Sequence, residues 1–298
     1  VGLIVIPKEL GVVPKELGVV DEKRAASELA RIMVDYFRPL RSVAVALSGG
    51  VDSAVVAAAA SRALGPRSLA LTAQSPSVSR YQLQWAQRTA TEIGIEHQLV
   101  STAELEKETY RRNQSDRCYW CKQTLYETLL PVVRSRGFEQ LASGTNREDL
   151  GDYRPGLRAG EEKGVLTPLA ELGLVKDDVR RLAQYWGLAV WDLPASPCLA
   201  SRIVYGVEVT ADRLRMIEEA EALLRGCGID EFRVRLHEHE LARIEVPLPE
   251  LTRLVELAVR GNLANKLRNL GFKFVSLDLE GFRSGRINEI IQISSKPV

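Results

Sequence analysis

Residues Ser48-Gly49-Gly50-Val51-Asp52-Ser53 combine the types that hold a polyphosphate. They follow an apolar run, Val43 to Leu47, and precede a helical run, Ala54 to Ala60. The order is strand, glycine turn, helix start. Two adjacent glycines let the backbone bend without a Cβ clash. The free amides of the turn and of the first helical turn then converge where a phosphate can sit. Ser48 and Ser53 add hydroxyl donors. Asp52 repels an anion unless a Mg²⁺ bridges it to the phosphates. The stretch matches neither G-x-x-x-x-G-K-[ST] nor G-x-G-x-x-G, which disfavours the common P-loop and dinucleotide folds. A corner chosen only for packing is the plain alternative, and a double glycine between serines and an aspartate suits it poorly.

Cys118-Tyr119-Trp120-Cys121 brings two thiols to a spacing that shares one metal or cluster, or forms a redox pair. Zinc needs four ligands, and the chain has 3 histidines, of which His237 and His239 lie far along the sequence. Cys198 sits in Ser196 to Arg202, an irregular stretch that gives a thiol no packing role. Three thiolates without an obvious fourth ligand suit an iron–sulfur cluster with one open iron. Cys227, just past a helix, reads as structural. Arg233 and Arg235 alternate on one strand and so share a face. Arg243 and Glu245 do the same on the expected partner strand. Such a face grips a phosphate or carboxylate bidentately; a solvated sheet face is the plain alternative.

These residues need a scaffold. The sequence predicts helices over 21–37, 52–64, 79–93, 103–112, 121–136 and 176–186, and strands over 42–47, 67–72, 95–100 and 138–142. Strands alternating with helices predict a doubly wound, mostly parallel α/β sheet covered on both faces. Ligands then bind at the carboxyl edge of the strands. The spans 143–164 and 193–205 are irregular, as functional loops are. Beyond Gly206 the pattern changes to a helix capped by Thr210, paired strands over 232–236 and 242–246, one long helix over 249–270, and a last strand over 272–277. The expected division is an N-terminal arm (1–20), an α/β domain (21–205) and a smaller C-terminal α+β domain (206–298) for substrate or oligomer contacts. The arm carries a tandem copy, Pro7 to Val13 and Pro14 to Val20, too short for a solenoid.

The 298 residues include 40 basic and 39 acidic side chains, a net charge of +1, with 45% hydrophobic and 27% charged residues. That balance gives no pull toward nucleic acid or an anionic membrane. No apolar run approaches the length of about 18 residues that a membrane span needs. The N-terminal stretch lacks the basic region and cleavage site of a signal peptide. A cytoplasmic protein is expected, a homo-oligomer, whose 4 cysteines do not form disulfides.

Ser48 to Ser53 resembles the pyrophosphate loop of the PP-loop ATP pyrophosphatase superfamily, whose folds are adenine nucleotide alpha hydrolase-like. More specific stretches are Gly144-Thr145-Asn146 with Asp149 to Gly156, Pro197 to Arg202, and Asp278 to Gly285. With them the chain resembles the LarE family of ATP-dependent sulfur transferases in nickel-pincer nucleotide synthesis, leaving only the N-terminal arm uncovered. The resemblance implies ATP and Mg²⁺ at Ser48, Gly49, Gly50, Asp52 and Ser53. It implies nucleotide contacts from Thr72 and Ser75 after the second strand and from Gly144 and Asn146 after the fourth. It implies a pyridinium dicarboxylate mononucleotide substrate, here assigned to Arg202, Arg233, Arg235 and Glu245, and a sulfur donor. One kind of member sacrifices the sulfur of the cysteine matching Cys198. The other adds a pair matching Cys118 and Cys121, and the three hold a [4Fe-4S] cluster. This chain has all three. A tRNA thiolase of the same superfamily is the nearest alternative, disfavoured by the neutral charge. A redox sensor that binds adenine nucleotide is the other.

Overall fold

The structure is a computed structural model that describes residues 19–151 and 155–283. Nearly all of the duplicated arm, the Asp152-Tyr153-Arg154 stretch and Ser284-Gly285 lie outside those residues. The first half runs α1 (Val19–Phe37), β1 (Val43–Ala46), α2 (Val51–Leu64), β2 (Ser68–Gln74), α3 (Arg80–Ile93), β3 (Glu96–Ser101), a short α4 (Glu108–Arg111), α5 (Arg117–Ser135) and β4 (Gln140–Ala142). Then come α6 (Gly156–Glu162), α7 (Pro168–Glu171) and α8 (Lys176–Tyr185). All four strands pair in parallel in the order β3-β2-β1-β4. This is the expected α/β architecture of a PP-loop ATP pyrophosphatase.

The alternation of side chains along a strand sorts the core into two layers. Val43, Val45 and Ala70 face the cluster built on α1, α2 and α8. Ala44, Leu69 and Leu71 face the other way, onto Tyr126, Leu129 and Val133 of α5 and Ala159 of α6. Helix α2 is apolar all round through its middle, where Ala54 to Ala60 are fully buried. A run of alanines is what lets a central helix be covered on every side at close range.

The chain moves from β1 through β2 to β3 and then returns to the other side of β1 for β4. That reversal makes the gap between β1 and β4 the topological switch point, where open α/β sheets form their binding crevice. Two glycines set its geometry. Gly49 has φ +80°, and a Cβ there would overlap the backbone of Gln82 on α3. A Cβ on Gly144, after β4, would lie 2.6 Å from the Ser53 amide nitrogen. The phosphate turn is therefore pressed against α3, and the loop after β4 against the start of α2, backbone to backbone.

The C-terminal unit contains α9 (Ala211–Gly226), β5 (Arg233–His237), β6 (Leu241–Glu245), α10 (Leu251–Arg260), α11 (Leu263–Asn269) and β7 (Phe274–Leu277). Thr210 caps α9 by accepting from the Arg213 amide. The expected single helix over 249–270 is broken at Gly261 and Asn262, the latter at φ +53°. The expected helix over 103–112 is a 3-10 turn, Glu104–Glu106, followed by α4. β5 and β6 are antiparallel, and β7 joins β6 in parallel. The core of this unit reaches back across the expected boundary at 205. It takes in Leu199, Ala200, Ile203 and Val204, and also Tyr110.

Gly49→Ala should therefore cost more than left-handed strain alone. Gly65, at φ +55° with nothing near its missing Cβ, is the control. Urea unfolding should find Gly49→Ala less stable than Gly65→Ala by about 1–3 kcal/mol, the usual cost of forcing atoms into a packed site. Equal midpoints would rule out the close approach.

Candidate functional site

The phosphate turn is held from within. The Ser48 amide donates to Ser53 Oγ at 3.1 Å, and the Ser53 hydroxyl donates to the Gly50 carbonyl at 3.0 Å. Ser53 is buried and committed to the loop, whereas Ser48 is exposed. Asp52 has company that the sequence reading lacked. Lys176, the first residue of α8, pairs with its Oδ2, and Asn146 Nδ2 donates to its Oδ1 at 3.1 Å. Asn146 is oriented by the Glu148 amide, which donates to Asn146 Oδ1 at 2.9 Å. A lysine at a helix N-terminus opposes the helix dipole. That mismatch was the available signal for Lys176.

In the second expected nucleotide loop, two hydroxyls already have partners within the protein. Thr72 is buried; its hydroxyl donates to the Leu47 carbonyl at 2.6 Å, and its oxygen lies 2.8 Å from His97 Nε2. The threonine proton is used on Leu47, so His97 carries the proton on Nε2. Burial pushes this imidazole below its ordinary range, toward the neutral form. The chain from His97 to Thr72 to Leu47 braces the root of the phosphate turn. The Ser75 hydroxyl donates to the buried Glu104 carboxylate, a residue the sequence reading passed over.

The thiols sit on different elements. The helix expected to open at Cys121 starts at Arg117, so both thiols fall in the first turn and a half of α5, and Cys118 and Cys121 lie on one side of it. Cys198 begins a 3-10 turn, Leu199–Arg202. Burial pushes the Cys121 thiol well up, with further contributions from Cys198, Glu104 and Cys118, while Lys122 opposes. Cys121 and Cys198 pack against the same apolar cluster although the chain separates them widely. Among the described residues, no three His, Cys, Asp or Glu side chains converge on a point for a single metal ion. All four cysteines are free thiols. Cys227, expected as structural, is exposed at the end of α9.

The arginine face is buried rather than solvated. Arg202 Nε donates to Glu221 Oε1 at 2.9 Å, and its Nη1 reaches the carbonyls of Pro197 and Cys198. Arg235 pairs with Glu245 at 3.0 Å and donates to the Ser201 carbonyl at 2.9 Å. Arg243 also pairs with Glu245, at 3.0 Å, so that carboxylate is shared by two guanidiniums. Arg233 has no carboxylate at ion-pairing distance among the described residues. It donates to the carbonyls of Phe232 and Ala195, and lies 4.8 Å over the Phe282 ring. Burial pulls its pKa down to about 10, helped by Arg202 and Arg235 and opposed by Glu221.

The profile of the asparagine synthase family matches residues 28–116, the stretch with β1 to β3 and the phosphate turn. The chain is 43% identical over 256 residues to an uncharacterized protein of Synechocystis sp., covering 86% of this chain and 95% of the relative. It is 36% identical over 261 residues to the pyridinium-3,5-bisthiocarboxylic acid mononucleotide synthase of Lactiplantibacillus plantarum, covering 87% of this chain and 93% of that protein. The chain belongs to the family of that synthase. An uncharacterized protein of Methanocaldococcus jannaschii is 28% identical over 244 residues.

Within this synthase family fold, Gln82 joins the parts of the site. Its backbone abuts Gly49, and its side chain donates to the Ser196 carbonyl at 2.7 Å, in the Cys198 loop. Nearby, the Leu199 amide donates to the Ser77 carbonyl at 2.8 Å, and Ser77 Oγ meets Tyr110 Oη at 2.7 Å. The Cys198 loop thus touches the wall of the phosphate turn on one side and the arginine face on the other. Among the described residues no helix is long and apolar enough to cross a membrane.

His97 generates a pH prediction. Its folded pKa lies below the unfolded value of about 6.5, so the folded state binds fewer protons at mildly acidic pH. Its contribution to stability is present above about pH 6.5 and is lost as the pH falls toward the folded pKa. His97→Gln should flatten that part of the acid limb. Melting temperatures of both proteins between neutral and mildly acidic pH decide it, and parallel curves would refute it.

Proposed function

We propose that the protein is an ATP-dependent sulfur transferase. It adenylylates a carboxylate of a pyridinium dicarboxylate mononucleotide and replaces the activated oxygen with sulfur, in nickel-pincer nucleotide synthesis. The observation that carries this reading is the position of the Cys198 loop between the phosphate turn and the buried arginines. A sulfur nucleophile there lies between the group that activates the substrate and the groups that grip it.

The free amides around Gly49 and Gly50 and the Ser48 hydroxyl receive the ATP phosphates. Asp52 offers the hard oxygen that a Mg²⁺ takes, and such an ion would neutralise the departing pyrophosphate. Asp52 is paired with Lys176 in the present state. Lys176 turns from Asp52 to the phosphates when nucleotide enters, so one cation serves both states. Arg233, buried and without a carboxylate partner, receives the substrate phosphate. Arg202 is neutralised by Glu221 and Arg235 by Glu245, and both hold the Cys198 loop in register through its carbonyls. A carboxylate oxygen of the substrate attacks the α-phosphorus, and pyrophosphate leaves. The acyl carbon, now bearing a good leaving group, accepts sulfur and releases AMP.

The donor set of Cys118, Cys121 and Cys198 fits an iron–sulfur cluster: soft thiols on two different elements, Cys118 and Cys121 about one helical turn apart on α5 and Cys198 packed with Cys121 against one apolar cluster. A [4Fe-4S] cluster held there would supply an exchangeable sulfide from the iron that no cysteine binds.

The test is anaerobic incubation of the iron-reconstituted protein with ATP, Mg²⁺ and the pyridinium nucleotide. AMP, pyrophosphate and a product heavier by oxygen-to-sulfur exchange are expected; ATP left intact would sink the proposal. Arg233→Ala should weaken the nucleotide substrate roughly ten- to hundred-fold, since an unpaired charged group costs about 1–3 kcal/mol, with ATP binding unchanged. Isothermal titration with each ligand separates the two effects. Equal losses for both would move the substrate phosphate elsewhere.

A further inference from the structure

Arg117 is a buried cation that the scheme above leaves unused. It is 3% exposed. Its Nη1 donates to Asn113 Oδ1 at 2.6 Å and to the Ala200 carbonyl at 2.7 Å. Its Nη2 approaches Cys118 Sγ at 3.8 Å, and its plane lies 5.7 Å from the centre of the Tyr205 ring. Both oxygen acceptors are neutral. Among the described residues, no carboxylate pairs with it. Arg202 and Arg235, buried to a similar degree, each pair with a glutamate.

A buried charge without a counter-charge is strongly unfavourable. Tying Asn113 to Ala200 requires hydrogen-bond donors but no charge. The groups that face Arg117 electrostatically are Cys118, Cys198, Tyr110 and Tyr205. Lys122, on the same helix, is a second cation near the thiols, with its ammonium 5.9 Å from the centre of the Tyr126 ring, and Glu104 is a buried carboxylate that accepts from Ser75. Arg117 is the positive charge fixed by hydrogen bonds between the two thiol-bearing segments.

We propose that Arg117 is a positioning residue, the built-in counter-cation of an anionic iron–sulfur group held by Cys118, Cys121 and Cys198. The inference rests on the cluster reading above. A cluster carried on three thiolates bears net negative charge, and in a low-dielectric site such charge is held only beside a cation. Arg117 reaches both chain segments that supply the thiols, through Cys118 on its own helix and through the Ala200 carbonyl beside Cys198. It therefore sets the distance between the segments as well as the charge between them.

The experiment is anaerobic reconstitution of the full chain with ferrous iron and sulfide, for wild type, Arg117→Gln and Arg117→Lys. Bound iron and acid-labile sulfide are measured against added iron, and the midpoint potential is followed by dye-mediated titration. Arg117→Gln should hold iron about 10- to 100-fold less tightly, the range for outer-shell partners. Its midpoint potential should move to more negative values, because removing a positive charge disfavours the added electron. Arg117→Lys should restore most of both. Thermal unfolding of the iron-free chains separates a folding defect from a charge effect; if Arg117→Gln does not fold, Arg117→Lys decides. A lysine variant that folds but loads no better than Cys118→Ala overturns the proposal. Equal loading and equal potential in wild type and Arg117→Gln overturn it while leaving the cluster reading standing. A wild-type chain that takes up no iron overturns both.

Discussion

The site depends on a backbone contact, Gly49 against Gln82. With no Cβ at position 49, α3 closes on the phosphate turn until the two backbones touch. Gln82 is the third residue of α3, and its side chain completes the capping box with Ser79 as well as holding the Ser196 carbonyl. The helix start, the phosphate turn and the Cys198 loop are thereby referred to one residue. A shift of α3 by the width of a methyl group would move the sulfur-bearing loop and the phosphate nest apart. Reacting groups held within a fraction of an ångström are what convert proximity into rate.

The second constraint is the sharing of one segment by two units. Leu199 to Val209 lies beside the α/β domain in sequence, yet packs into the core of the C-terminal unit. Val204 donates its amide to the Leu236 carbonyl, and Ile203 bridges to the same strand residue. Arg202 and Arg235 grip the loop's own carbonyls. Cys198 is therefore placed by the C-terminal unit as much as by the α/β domain. The arginine face belongs to the same rigid arrangement, because its strand, β5, is the one that anchors the segment.

Much of this was legible from residue types. The phosphate turn, the parallel sheet, the Cys-x-x-Cys pair and the alternation of Arg233 and Arg235 all rest on local spacing, and local spacing survives folding. What escaped were groups whose role depends on a distant partner. Lys176 is an ill-placed charge at a helix start, with no visible purpose until α8 brings it to Asp52. Glu104 is one charge among many until Ser75 folds over it. Thr72 reads as a nucleotide contact from its place at the end of β2, and only the approach of His97 from β3 shows its hydroxyl turned inward. The helix expected over 249–270 fails at Gly261 and Asn262, where a left-handed residue interrupts a sequence otherwise favourable to helix. The arginine face looked compatible with solvent because no sequence pattern announces that a loop 30-odd residues earlier will cover it; Ala195 and Ser201 supply the cover.

The buried cations sort by whether a carboxylate accompanies them. Arg202 and Arg235 carry theirs, Glu221 and Glu245, and such pairs stabilise geometry while leaving little field for a ligand. Arg117 and Arg233 carry none among the described residues, and Lys176 shares Asp52 at the edge of the phosphate turn. The chain as a whole is nearly neutral, with 40 basic and 39 acidic residues, so this placement is not a by-product of excess charge. Positive charge is left uncompensated beside the thiols and on the arginine face, and is held reversibly at the nucleotide turn. Each of those places is where the proposed chemistry puts an anion: the sulfur centre, the substrate phosphate and the ATP polyphosphate. A protein that bound only adenine nucleotide would need the last of them and would have no use for two buried arginines that have no carboxylate partner among the described residues. The cost of burying them is explained if the anions that offset it arrive with the substrates and the cofactor.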